Sequence, residues 1–259
     1  MPARSISWGS SELLMSRSSR HVRLVRGYVL HHRPFRDTSR ILEVFTRDHG
    51  RLTLFARGVR GPKAKLAPVL QPFQAIYLSW SGRGEAPQLT GAEYAGTAVQ
   101  PPSACLMACF YLNELLLKLT TRHDPHPELF DAYQAALGEL ASGSALERTL
   151  RIFEKRLLDS IGYGLALESD CETGRRIRPD GHYQYRPAQG LVPVPTHAPG
   201  VLAGASIVSL AEERLSSANE LDDARRLLRS ALAHCLEGRE LTTRVVARSL
   251  VHREREFLP

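Results

Sequence analysis

The run Arg51-Leu52-Thr53-Leu54-Phe55-Ala56-Arg57 alternates cleanly. In an extended chain Leu52, Leu54 and Ala56 share one face, and Arg51, Thr53, Phe55 and Arg57 share the other. A strand with one wholly apolar face has to cover it, so this run is a wall of a core. Just upstream, Asp48-His49-Gly50 is a turn, with glycine free to take a positive φ. Ile41-Leu42-Glu43-Val44-Phe45 is the strand that enters it, and Val22 to Leu30 (VRLVRGYVL), β-branched and aromatic, is another. Downstream, Gly/Pro/Lys-rich loops at Gly58–Pro72 and Ser81–Pro87 separate two further strands, Gln74 to Trp80 and Gln88 to Tyr94.

Five short antiparallel strands in so little chain suit a small closed barrel, and the OB-fold is the commonest of that size that handles nucleic acid. Pro101-Pro102 ends the pattern, and beyond it the apolar period turns helical. Ser103 to Thr120 (SACLMACFYLNELLLKLT) is apolar nearly all round, which predicts a central buried helix. A second helix, Ala145 to Ile161, carries Leu146, Leu150, Phe153, Leu157 and Ile161 as its stripe, with Arg148, Arg151 and Lys155 opposite; Gly162 and Gly164 end it. Asp222 is the expected cap of a third, which runs through Ala224, Leu227, Leu228, Ala231, Leu232 and Cys235 to Gly238, and a short helix around Leu241–Val251 follows. Between them Glu168 to Gly204 is rich in Gly, Pro and Asp, with a hairpin-like Tyr183–Val194. The expected class is α+β: a disordered leader at 1–20 (or an over-extended start, with Met15 as initiator), an OB-fold at 21–98, a helical domain at 99–167 and 205–259, and a small insert at 168–204.

Charge is local. From His21 to Leu66 there are eleven basic and three acidic residues, a net +8 that exceeds the +7 of the whole chain. Thirty of the 34 basic residues are arginine, whose planar fork suits phosphate. An arginine-favouring genome explains that ratio equally well, so position carries the argument. Arg51 and Arg57 flank Phe55, Arg33-Pro34-Phe35-Arg36 repeats the mixture, and Arg57, Arg60, Lys63 and Lys65 crowd one loop. Rings that stack bases beside guanidinium groups that hold phosphates make a single-strand platform. The bland alternative is a solvated barrel face with a stray aromatic. Nothing resembles a helix built to read a groove, so binding is expected to be salt-sensitive and sequence-tolerant.

Catalytic motifs are missing. Gly58-Val59-Arg60-Gly61-Pro62-Lys63 lacks the Gly-Lys-Ser/Thr ending of a phosphate loop, and no Gly-x-Ser-x-Gly occurs. Asp37, Glu43 and Asp48 are the acids of the first three strands' stretch, 21–66, too few for a metal nuclease, and His123-Asp124-Pro125-His126 reads as a loop between helices. Cys171 has Gly174 where a Cys-x-x-Cys would place its partner; even with His182 and His197 a fourth zinc ligand is lacking. Cys105 and Cys109 read as small buried residues. The expectation is a protein that is not an enzyme, with no metal and no cofactor. No stretch approaches about 20 apolar residues, and a cytoplasmic setting is expected.

Several of these stretches together resemble the RecO family. They are Gly27-Tyr28-Val29-Leu30 with Arg33-Pro34-Phe35 and Thr38-Ser39, Val44-Phe45-Thr46 with His49-Gly50-Arg51, and Arg57-Gly58-Val59-Arg60. Leu70-Gln71-Pro72-Phe73, Tyr111 to Leu116 (YLNELL) and Leu158 to Gly164 (LDSIGYG) extend the match from about His21 to Val251. The resemblance implies an OB-fold, a helical domain and a zinc-finger-like insert, which here keeps only Cys171 of the four zinc cysteines that some members carry. It also implies a recombination mediator in the RecF pathway. Such a protein binds single- and double-stranded DNA, anneals complementary strands, and loads RecA with RecR where single-stranded-DNA-binding protein covers the DNA. On this reading Arg33, Phe35, Arg36, Arg40, Arg51, Phe55, Arg57, Arg60, Lys63 and Lys65 hold DNA, with Phe35 or Phe55 stacking. Arg151, with Ile152 and Leu158 as pocket walls, receives the acidic, apolar C-terminal tail of single-stranded-DNA-binding protein; a solvated helix face is the plainer reading of Arg151. The second reading is an adaptor that docks such tails and binds DNA weakly. A metal-dependent nuclease and an RNA-binding barrel are the remaining alternatives.

Overall fold

The computed structural model describes residues 21–61, 64–96, 100–143, 145–247 and 249. The expected leader, Lys63 and the end of the expected last helix at Val251 lie outside the described residues.

Strands β1 (His21–Phe35), β2 (Ser39–Thr46), β3 (Gly50–Ala56), β4 (Ile76–Ser81) and β5 (Gln88–Tyr94) form a closed barrel in the order β1-β2-β3-β5-β4. β1 is long enough to serve two neighbours. Its first half pairs β4 and its second half β2, and irregularities between Val22 and Val25 and between Val29 and His31 bend it round. A single parallel rung, Phe55 to Gln88, joins β3 to β5. Leu52, Leu54 and Ala56 point inward with Val29, Leu42, Val44, Ile76, Leu78, Trp80 and Leu89, as the alternation requires. Val59 and Leu70, from the connection between β3 and β4, pack into the same core.

A 3₁₀ turn at Ser103–Cys105 leads into α1 (Leu106–Leu119), whose Leu112, Leu115 and Leu116 are fully buried. Around it lie α2 (Pro127–Ala141), α3 (Leu146–Ser160), α4 (Gly204–Ala211) and α5 (Ala218–Leu236), and 242–247 is helical. Two of these helices, α2 and α4, are additions to the expected set. α2 carried a signal: Pro127 at its first position, Glu128 in the first turn, and Leu129, Phe130, Tyr133, Ala136, Leu137 and Leu140 at helical spacing. α5 starts earlier than expected. Its cap is Ser217, which exchanges hydrogen bonds with Glu220 in a capping box, and Asp222 lies inside the helix.

The insert is a three-stranded sheet of β6 (His182–Arg186), β7 (Gly190–Pro193) and β8 (Leu202–Ala203), ordered β7-β6-β8. Ile177, Tyr183, Leu191 and Leu202 root it in the helical core. Where Cys171 and Gly174 stand, the Asp170 carboxylate holds the turn by accepting from the Glu172 N–H (3.1 Å), the Thr173 N–H (2.6 Å) and the Thr173 hydroxyl (2.6 Å). Among the described residues no group of three or more His, Cys, Asp or Glu is arranged to hold a metal.

The end of the fold is tied down by one carboxylate. Glu114 accepts from the Thr242 N–H (2.8 Å), the Thr243 N–H (2.9 Å) and the Thr243 hydroxyl (2.7 Å), and it pairs with Lys118. Burial pushes its pKa up, but these donors outweigh burial and hold it at about 2. Because the folded value lies below the unfolded one, Glu114 stabilises the fold above the ordinary carboxylate range, about pH 4.3. That contribution fades as pH falls toward about 2. Urea midpoints measured across that window should fall with pH in the wild type, and less steeply in Glu114→Gln.

Candidate nucleic-acid interface

Cross-strand partners share a face, so the barrel's outer wall can be read in rows. One row is Arg33, Ile41 and Phe55; the next is His31, Glu43 and Thr53; the last is Tyr28, Phe45 and Arg51. The last row is covered. Tyr28 meets Phe130 and Tyr133 at ring separations of 5.6 and 5.1 Å, and Phe45 meets the same two rings at 5.6 and 6.2 Å. Asn113 donates to the Leu30 carbonyl (2.8 Å) and accepts from the Tyr133 hydroxyl (2.6 Å), so the buried polar groups at this junction are paired.

Arg51 belongs to this junction. Its side chain is only 12% exposed and donates to Glu43 Oε2 (3.1 Å) and to the Thr120 carbonyl (2.8 Å), just past the end of α1. Glu43 also accepts from Arg122 (2.6 Å) and from the Thr53 hydroxyl (2.8 Å). Burial raises the Glu43 pKa, but the hydrogen bonds from Arg122 and Thr53 and the charges of Arg122 and Arg51 bring it below the ordinary value. Gly50 completes the seam. Its φ is +64°, and a Cβ there would lie 2.1 Å from the Asp124 carbonyl oxygen.

The opposite end of the wall is open. The Phe35 and Phe55 rings meet edge to face at 5.4 Å, with the Arg36 guanidinium 5.3 Å from the Phe35 centroid and that of Arg57 5.6 Å from the Phe55 centroid. Arg60 donates from its backbone N–H to the Thr38 carbonyl (3.0 Å) and from its guanidinium to the Arg36 carbonyl (2.9 Å), which holds the loop after β3 against the β1–β2 turn. Among the described residues Arg33, Arg36, Arg57 and Arg60 are exposed and have no carboxylate partner. Such forks are open to phosphate oxygens.

The remaining expected DNA contacts divide. Lys65 is exposed on the connecting loop. Arg40 pairs in register with Pro34 and Ala56 and so faces the barrel's inner side, where one of its terminal nitrogens is buried without a hydrogen-bond partner. The fold thus brings Arg33, Phe35, Arg36, Phe55, Arg57 and Arg60 together, and places Arg40 and Arg51 elsewhere.

The second candidate surface lies among the helices. A cavity of about 420 Å³ is walled by apolar Met107, Leu146 and Leu150 and by Arg151, Arg225, Arg229 and Arg244. Arg151, expected opposite the buried stripe, is itself buried, because α3 is flanked on both sides and its 151/154 edge faces Tyr111. Ile152 lines a separate cavity beside Phe153 and Glu213, and Leu158 is sealed in the core. Arg225, Arg229 and Arg244 were not singled out in the sequence; they reach the cavity from α5 and the helical turn at 242–247, far away in the chain.

Residues 22–98 match the family model for the N-terminal part of recombination protein O, and residues 104–244 match that for its C-terminal part. The chain belongs to the RecO family. It is 45% identical over 228 residues to the DNA repair protein RecO of Methylococcus capsulatus, covering 88% of this chain and 94% of that protein. Likeness to the DNA repair protein RecO of Xanthomonas campestris is 41% over 234 residues, 88% of this chain and 97% of that one. For Cupriavidus pinatubonensis it is 41% over 239 residues, 90% and 81%. The RecO family works in DNA repair and recombination, and the two matched parts of this RecO-family chain meet where strands give way to helices.

The division of the arginines has a measurable consequence. Arg51→Ala leaves Glu43 short of a partner in a mostly buried seam and should destabilise the fold by about 3 kcal/mol. Arg57→Ala, at an exposed site, should change stability by less than about 0.5 kcal/mol. Chemical denaturation of the two variants checks both.

Proposed function

We propose that this RecO-family chain is a non-catalytic recombination mediator that binds single- and double-stranded DNA and anneals complementary strands in the RecF pathway. With RecR it would help to load RecA onto DNA covered by single-stranded-DNA-binding protein, in the cytoplasm, at the nucleoid. The observation that carries this reading is the open strip of Arg36, Phe35, Phe55 and Arg57, flanked by Arg33 and Arg60, on the outer wall of the barrel. Guanidinium groups free of carboxylates take phosphate, and the two rings offer bases a surface worth about 1–3 kcal/mol each. Neutralising phosphates on two strands lowers their repulsion, and base pairing then supplies the driving force. The barrel at 21–98 is the DNA-binding unit of this proposal, 99–167 with 205–259 its docking unit, and 168–204 a small insert on the latter. Lys65 extends the cationic surface along the loop, and Lys63, outside the described residues, is assigned to the same DNA-binding set; Arg51 supports it from behind through the junction, and Arg40 from inside the barrel.

The adaptor reading has its own support, the arginine-lined cavity beside α3. Four guanidinium groups around an apolar floor suit an acidic segment with an apolar end, such as the tail of single-stranded-DNA-binding protein. Arg151 is its centre. Leu158 supports α3 from beneath, and Leu146, Leu150 and Met107 take the wall role that Ile152 was expected to fill.

Annealing of two complementary labelled oligonucleotides, without nucleotide or metal, tests the main reading. The protein should accelerate it, and the effect should fade with salt. A Phe35→Ala, Phe55→Ala double variant should bind single strands at least about tenfold more weakly. In an Arg60→Ala, Lys63→Ala, Lys65→Ala triple variant the slope of log affinity against log salt should shrink by about 2. No acceleration, with tail-peptide binding intact and lost in Arg151→Ala, would make the helical half the functional one.

A further inference from the structure

Beneath the arginine-lined cavity sits a carboxylate that folding alone does not call for. Glu154 is 1% exposed. Its Oε1 accepts from the Tyr111 hydroxyl (2.6 Å) and from Arg151 Nη2 (3.0 Å). Its Oε2 is buried without a hydrogen-bond partner, and so is Arg151 Nε. Tyr111 passes the connection on: its hydroxyl accepts from Arg244 Nη2 (3.0 Å), and the Arg244 guanidinium lies 5.5 Å from the centroid of its ring. One carboxylate therefore organises two arginines on different walls, Arg151 directly and Arg244 through a phenol. A buried ion pair is often no more stabilising than apolar residues of the same shape, and this one also leaves an oxygen and a nitrogen unmet. Stability is a poor reason for it.

A built site for an anion is a better one. We propose that Glu154 is the positioning residue of this cavity, holding Arg151 and Arg244 ready for a ligand carboxylate and taking up a proton when that carboxylate binds. The proposal rests on the cavity being a site for an acidic peptide, and deepens it by naming what presets the arginines. The occupant is the acidic, apolar peptide end already inferred, because the cavity combines four guanidinium groups with Met107, Leu146 and Leu150, and among the described residues only Arg151, with Glu154, and Arg225, with Asp222 on its own helix, have carboxylate partners.

The linkage follows from charge. Burial raises the Glu154 pKa, and Arg151, the Tyr111 hydrogen bond and Arg244 oppose that rise. These three, from α3, α1 and the turn at 242–247, are the charged or titratable groups that face it among the described residues; Arg225 and Arg229 of α5 line the cavity above. A ligand carboxylate on Arg151 and Arg244 cancels the positive charge that favours the ionised form. The complex then binds a proton more tightly than the free protein does. Affinity must rise as pH falls, by at most about tenfold per unit for one proton. The window lies above about pH 4, below which the peptide's own carboxylates protonate.

The test uses the full chain and a synthetic acidic peptide ending in two apolar residues and a free α-carboxylate. Titration calorimetry from about pH 5.5 to about pH 8, in buffers of different ionisation enthalpy, counts the protons taken up. The wild type should bind more tightly at low pH with net uptake. Glu154→Gln keeps an acceptor for Tyr111 and Arg151 without the charge, so it should bind more tightly at the high end and show a flat pH profile. Glu154→Leu frees Arg151 and should bind at least about tenfold more weakly throughout. Wild-type binding without proton uptake, or a Glu154→Gln profile as steep as the wild type's, overturns the assignment of Glu154 and leaves the peptide site standing. Absence of binding by the wild type at every pH overturns the peptide site and this proposal together. The wild-type calorimetry decides even if a variant fails to fold.

Discussion

The packing of Tyr28 and Phe45 against Phe130 and Tyr133 is the contact on which the rest of the molecule depends. A small barrel fills its inside with one set of alternating side chains and leaves the other set outside. Here the outer set is divided. At one end it is aromatic and covered by α2, with Asn113 satisfying the Leu30 carbonyl and the Tyr133 hydroxyl in the same dry seam. At the other end it is aromatic and only half-buried, between exposed arginines. That division turns Arg51 into a brace between barrel and helices, while Arg57, on the same face of the same run, stays open to solvent.

α1 carries this geometry through the chain. Asn113 fixes the barrel to it, Tyr111 connects it to Glu154 and Arg244, and Glu114 anchors the Thr242–Thr243 backbone that presents Arg244. The three side chains come from a single turn of helix, so the barrel face and the helical cavity are positioned from a common base. A rigid base of this kind would hold the proposed nucleic-acid surface and the proposed peptide surface at a set distance.

Much of the architecture was legible locally. The five strands follow from alternation and turn residues, and α1, α3 and most of α5 from the spacing of their leucines. The start of α5 differs from the expected one because a carboxylate just before an apolar run resembles a cap, whereas Ser217 and Glu220 satisfy each other's backbone N–H groups a turn earlier. The helical spacing of α2 is present in the sequence, but its start lies directly against the His123–His126 loop, which obscures it. α4 gave little to read: it is eight residues long and begins at a glycine.

The sequence by itself determined which side chains enter the barrel, where strands give way to helices, and that positive charge gathers on the barrel's half of the chain. These depend on periods of two and of 3.6 residues and on near neighbours, which a linear chain displays. Only the tertiary structure decided the fate of each cation. Arg33 and Arg40 are both arginines near a strand end, yet one faces outward and the other inward. Arg151 has the spacing of a solvated residue and is buried under a neighbouring helix. Its partner Glu154 lies one turn on in the same helix, and that carboxylate is linked through Tyr111 to Arg244, from two further segments of the chain. A charge is free or paired according to which carboxylate or carbonyl folding brings within about 3 Å, and no local pattern encodes that distance.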